Sequence, residues 1–92
     1  MIRSFASKET QALYEGRPAR RFEPIRRQAI KRLDRIAAAQ SLADLAALPG
    51  NRLEALAGDR KGQHSIRIND QWRICFVWRA DGAYDVAIVD YH

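Results

Sequence analysis

Hydrophobic and polar positions follow two different periods along this chain. In its last third, Trp72, Ile74, Phe76 and Trp78 alternate with Arg73, Cys75, Val77 and Arg79. That period of two, carried by aromatic and β-branched residues, predicts a strand with one core face and one semi-exposed, basic face. Flanking runs extend the pattern to strands over His64–Asn69, Trp72–Arg79 and Tyr84–His92, divided by the turn signals Asn69-Asp70 and Asp81-Gly82. In the first of them His64, Ile66 and Ile68 alternate with Ser65, Arg67 and Asn69. An earlier strand is expected over Arg52–Ala57, with Leu53 and either Ala55 or Leu56 inward, followed by a flexible connection at Gly58–Gly62.

The first half has the longer period. Phe22, Ile25, Ala29, Leu33, Ile36 and Ala37 recur at three- and four-residue spacing, which predicts a helix from about Pro24 to Ala39 with one apolar stripe. Pro24 suits its first turn. Ser7 is a natural N-cap for a shorter helix that buries Ala12 and Leu13 and stops near Gly16. Met1–Ala6, with Ile2 and Phe5 as anchors, is expected to join the sheet as an edge strand. Between the helices, Arg17–Arg21 is basic, has little to bury, and is interrupted by Pro18, so it is expected to be mobile. A further helical turn over Ser41–Leu48 is expected to bury Leu42, Leu45 and Leu48. Helices first and antiparallel strands after predict an α+β fold, with the stripe packed on the aromatic face of a curved sheet.

Ninety-two residues bound this to one domain, with 47% apolar and 29% charged residues in the ordinary globular range. No long apolar run or leader pattern is present, so a cytoplasmic protein without membrane contact is the expectation. Cys75 has no partner for an internal disulfide and is expected to be structural, and two histidines do not make a zinc set. The net charge of +5 is unevenly placed: Arg17–Arg35 holds eight basic and two acidic residues. Such a block suits a nucleic-acid or acidic-protein partner, and equally a solvated helix face.

Phosphate loops, serine elbows and metal clusters are missing from the sequence, so no cofactor is expected. What remains is a set around one sheet: Glu54, Arg60, Lys61, His64, Arg67, Arg73, Asp90, Tyr91 and His92. It suits RNA cleavage in which the ribose 2′-hydroxyl attacks its own 3′-phosphate. That reaction needs a base, an acid for the leaving 5′-oxygen, and cations around the phosphate. His92 titrates near neutrality, at an unperturbed value of about 6.5. Its own α-carboxylate and Asp90 favour the imidazolium, and so the role of acid. Glu54 is the candidate base or an orienting group. Arg67 and Arg73, on neighbouring strands, are placed to share one phosphate, and Tyr91 to stack a base or bond the phosphate. Plainer readings exist for each. His64 lies on the side of Ile66 and Ile68 and suits a half-buried structural role; Arg60 and Lys61 suit a solvated turn; Tyr91 suits a core aromatic and Asp90 a strand-end cap.

Met1-Ile2-Arg3-Ser4-Phe5, Gly58-Asp59-Arg60-Lys61-Gly62-Gln63-His64-Ser65-Ile66, Asn69-Asp70-Gln71-Trp72-Arg73-Ile74-Cys75-Phe76 and the closing Asp90-Tyr91-His92 resemble the HigB-type toxins. These form a branch of the RelE/ParE superfamily of bacterial toxin–antitoxin systems. The resemblance spans nearly the whole chain and implies a RelE-like fold. It implies an endoribonuclease that cleaves mRNA in the ribosomal A site, and a HigA-type helix-turn-helix antitoxin as partner, through which alone operator DNA is met. The family's active-site aspartate, tyrosine, histidine and strand arginine match Asp90, Tyr91, His92 and Arg73, and Arg67 lies close to another position expected to meet RNA. Where some members carry a histidine and a lysine, this chain has Glu54 and Ala57, which removes one acid–base group and a phosphate clamp. The expectation is either that Glu54 substitutes as the base or that cleavage is slower and toxicity milder. With the ribosome as the site of action, the basic block, including Arg26, Arg27 and Lys31, is expected to meet ribosomal RNA, and Arg60 and Lys61 to meet RNA from their turn. The alternatives are a non-cleaving inhibitor of DNA gyrase, as in ParE-like members, and an inhibitor of ribosome assembly.

Overall fold

The computed structural model describes residues 1–91. Helix α1 (Lys8–Tyr14) starts where Ser7, in extended backbone, accepts the Thr10 amide on its Oγ at 3.1 Å, and the chain leaves the helix at Gly16 with φ +79°. Helix α2 (Arg26–Ala38) and the five-residue α3 (Leu42–Ala46) follow, α3 capped by the Ser41 hydroxyl. Four antiparallel strands, β1 (Glu54–Ala55), β2 (His64–Arg67), β3 (Trp72–Arg79) and β4 (Gly82–Asp90), lie in sequence order across one sheet. The class is α+β, with an open sheet.

Leu13, Phe22, Ala29, Leu33 and Ile36 pack against Ile66, Ile74, Phe76, Val86 and Ile88 as one cluster. Removing such a side chain from water contributes about 1.5–3 kcal/mol each, so this layer contact dominates the stability of the fold. Trp72 meets Phe22 edge to face with ring centroids 5.4 Å apart, and Thr10 ties α1 to the sheet by accepting the Ile88 amide on its hydroxyl at 3.0 Å. The segment before α1 runs parallel to β4 through isolated bridges at Ile2–Ala83 and Phe5–Val86, a looser arrangement than the edge strand expected there. A shift of register between Cys75 and Val77 coincides with positive φ at Asp85, whose amide turns outward onto the Ser4 hydroxyl at 2.8 Å. The irregularity opens β4 to the N-terminal strap.

Several expectations are corrected. The Arg17–Arg21 connector is pinned rather than mobile: the Glu23 carboxylate accepts the Ala19 amide, Glu9 accepts the Arg21 amide, and Arg26 donates to the Arg17 carbonyl at 2.7 Å. Helix α2 is preceded by a 3-10 segment, Arg20–Ile25, which holds Pro24, so the regular helix begins two residues later than the stripe suggested. Leu48 is exposed; the buried position at that corner belongs to Asn51, which donates to the Leu45 carbonyl and accepts from Arg35. The strand expected over Arg52–Ala57 shortens to Glu54–Ala55, both exposed, with Leu53 partly buried on the core. The basic face of β3 is not semi-exposed at its start, for Arg73 is 7% and Cys75 1% exposed. Within the connection at Gly58–Gly62, residues Gly58–Arg60 form a 3-10 turn.

Candidate active site

The sheet face turned away from the helices carries the polar groups. In the ladder Ser65 pairs with Cys75, Arg67 with Arg73, and Arg73 with Val89. Alternation places all of these opposite the buried Trp72, Ile74 and Phe76. At the start of β1, Glu54 pairs with Ser65 and so falls on the same face.

Arg73 is the centre of this group. Its guanidinium lies down along the sheet: Nε donates to Ser65 Oγ at 2.8 Å, and Nη2 donates to the Arg52 carbonyl at 2.6 Å and the Ser65 carbonyl at 3.3 Å. Nη1 faces the Glu54 carboxylate across 3.7 Å, and the Tyr91 ring covers the group with its centroid 5.6 Å from Cζ. A charge this deep is tolerated because its N–H groups are matched by oxygens and its plane by an aromatic face. Glu54 and Tyr91 remain solvent-accessible, so the cluster has a deep arginine under an open rim.

The chain's tail is fastened by the β2–β3 turn. Asn69 Oδ1 accepts the amides of Gln71 and Trp72, which shapes the turn. Gln71 then accepts the Tyr91 amide on its carbonyl at 2.6 Å and donates from Nε2 to Asp90 at 3.2 Å. Asp90 pairs with Trp72 in the ladder and Tyr91 crosses to the Arg73 face. Arg67 pairs with Arg73 across the strands, but its guanidinium turns to the exposed Asp70 carboxylate. His92, expected to supply the acid, lies outside the described residues.

The other sequence candidates separate from this cluster. His64 is half-buried on the core face, stacked on Phe76 at 6.4 Å, with Nδ1 lacking a hydrogen bond among the described residues. Arg60 and Lys61 are exposed, Arg60 donating to Gln63 at 3.3 Å. Arg60 still stands near the open face: burial pushes the Cys75 thiol up, against the pull of Arg60 and Arg73. Arg26 is used internally, paired to Glu23 at 2.6 Å, which holds the Glu23 carboxyl down to about 2. Arg27 and Lys31 are exposed on α2, in the layer on the other side of the sheet from Arg73. Among the described residues, no group of three or more histidine, cysteine or acidic side chains could hold a metal ion, and no helix is long and apolar enough to cross a membrane.

Sequence reasoning missed Ser65, Gln71 and the backbone of Arg52. Ser65 had a legible signal, since it alternates onto the face of Arg67 and Arg73. The Arg52 carbonyl had none, because its direction depends on a left-handed backbone at φ +45° that arginine rarely adopts.

Residues 3–92 match the family model for the RelE-like toxin of the type II toxin–antitoxin system HigB. The chain is 37% identical over 94 residues to Toxin HigB-1 of Vibrio cholerae serotype O1, covering all of this chain and 98% of that protein. It is 32% identical over 99 residues to Endoribonuclease HigB of Proteus vulgaris, with both chains covered in full. The chain belongs to the HigB-like toxin family, and a type II system implies an antitoxin as its partner.

Proposed function

We propose that this HigB-family chain is an endoribonuclease that cleaves mRNA in the A site of the ribosome and so arrests translation. The observation that carries the reading is the Arg73 guanidinium, held deep on the open face with one nitrogen toward Glu54 and the Tyr91 ring across its plane. The related Proteus vulgaris protein is named an endoribonuclease, which supports the same chemistry.

In this reading the ribose 2′-oxygen attacks the adjacent phosphorus and the bond to the 5′-oxygen breaks, leaving a 2′,3′-cyclic phosphate and a 5′-hydroxyl. Glu54 takes the 2′-hydroxyl proton, and His92 gives a proton to the departing oxygen. Arg73, with Arg67 opposite it in the ladder, stabilises the charge that builds on the phosphate. Tyr91 stacks a base, and Asp90 favours the imidazolium of His92. Arg60 and Lys61, on their exposed turn, attract the RNA backbone. Arg27 and Lys31 meet ribosomal RNA from the helical layer; Arg26, engaged with Glu23, shapes that surface and is its weakest member. The antitoxin is of the HigA helix-turn-helix type, and the toxin works in the cytoplasm.

Primer extension on mRNA bound to bacterial ribosomes, with and without ribosomes, tests this for the native protein and His92→Ala. New ends that require both the ribosome and His92 are the expected result. Ends that persist in the variant move the acid to another group. Growth arrest without cleavage by either protein overturns the ribonuclease and favours gyrase or ribosome assembly as the target.

A further inference from the structure

We infer that Ser65 is a positioning residue for Arg73, fixing which nitrogen of the guanidinium meets the scissile phosphate; this rests on the ribonuclease reading above. An arginine on a strand extends by default off the sheet and has about 2 kcal/mol of rotamer entropy to lose when held. Arg73 is instead folded down and 7% exposed. Ser65 lies diagonally across the β2–β3 ladder, beside the Arg67–Arg73 pair, within reach of a long side chain.

Its hydroxyl takes Nε at 2.8 Å, and its carbonyl shares Nη2 with the carbonyl of Arg52. Three of the five N–H groups of a guanidinium are thereby occupied by protein oxygens. Among the described residues Nη1 meets only the Glu54 carboxylate, at 3.7 Å. A phosphate entering from the open face therefore meets Nη1 with its two N–H groups, beside the proposed base, rather than the usual two-nitrogen fork. Ser65 is itself fully buried, so it acts on RNA only through Arg73. Without the hydroxyl, Nε loses its partner and the guanidinium can rotate about its last torsions, which misplaces Nη1.

Single-turnover cleavage of ribosome-bound mRNA tests the inference with Ser65→Ala, Arg73→Ala and the double variant. Ser65→Ala is expected to lower the saturating rate about tenfold, with the toxin concentration for half-maximal rate within about twofold of native, since the lost interaction acts in the transition state. In the Arg73→Ala background the serine change is expected to add nothing, because a residue acting only through Arg73 has nothing left to place. Independent, multiplying losses overturn the inference. Ser65→Thr and Ser65→Val, matched in volume and both suited to a strand, separate the hydroxyl from packing should the alanine variant not fold. Thr is expected to keep more of the native rate than Val, and equal rates overturn the inference. Arg73→Ala cleaving at the native rate overturns the site reading itself, whatever the serine variants do.

Discussion

The ring of Tyr91 lies over the guanidinium of Arg73, with 5.6 Å between the centroid and Cζ. The contact joins the end of β4 to the middle of the sheet, and it covers a charge that Ser65, the Arg52 carbonyl and the Glu54 carboxylate also hold. A planar cation against an aromatic face contributes about 0.5–1 kcal/mol at a partly exposed site. Tyr91 is itself 41% exposed, and in the proposed reading its ring also stacks a nucleobase.

Tyr91→Phe preserves that ring and loses only the hydroxyl. Cleavage of ribosome-bound mRNA by this variant is expected to stay within about threefold of native, while Tyr91→Ala falls about tenfold or more through loss of stacking. Equal loss in both variants would assign the role to the hydroxyl instead.

Asn51 is fully buried and joins three elements, accepting from Arg35 at 2.8 Å and donating to the Leu45 carbonyl at 3.0 Å. Asn51→Ala removes both hydrogen bonds and leaves a small void at a fully buried position, and is expected to cost about 2–3 kcal/mol in urea unfolding. Since Arg52 follows directly, the variant is also expected to lose cleavage activity beyond its loss of folded protein.

Gly82 opens β4 at φ +136°, and a Cβ built there would run into the Met1 carbonyl oxygen, which accepts the Ala83 amide. Gly82→Ala is expected to release the N-terminal strap and destabilise by on the order of 2–3 kcal/mol. Gly50→Ala meets open space and is expected to leave the melting temperature nearly unchanged or slightly raised.

The side-chain hydrogen bonds from Arg26, then the Ala19 amide, hold the Glu23 carboxyl at about 2, below its ordinary 4.5. A lowered folded-state value stabilises the protein above the ordinary value, and that stabilisation is lost as pH falls toward 2. Melting curves of native protein and Glu23→Gln should therefore differ most near neutral pH and converge through this acid window. The pair is exposed to solvent, so added salt should narrow the gap.

The sheet was the most legible part of the molecule. Trp72, Ile74 and Phe76 could face only one way, because a one-residue slip would have turned all of them into water. The caps at Ser7 and Ser41 are local chemistry and could be read directly, at Ser7 as a cap and at Ser41 as the start of a turn. The connector at Arg17–Arg21 was misread because the groups that hold it, Glu9, Glu23 and Arg26, lie outside it, in α1, in the following turn and at the start of α2. Leu48 was misread for the opposite reason. Hydrophobicity pointed inward, but the 3-10 turn at Pro49–Asn51 gave the buried position to a polar residue with two partners waiting.

By itself the sequence determined the layers, the order of strands and the residue types available for chemistry, since these depend on periodicity and on short-range turn and cap signals. The family resemblance already pointed to Arg73 among the thirteen arginines, and only the tertiary structure decided how deep it lies and how its nitrogens are shared out. Arg26, Arg67 and Arg73 are the same residue in composition. Arg26 meets Glu23 and backbone carbonyls, Arg67 meets a solvated Asp70, and Arg73 meets Ser65, the Arg52 carbonyl, Glu54 and Tyr91. The partners that separate them come together through strand register and one left-handed backbone turn. Those are long-range packing outcomes that no local pattern encodes.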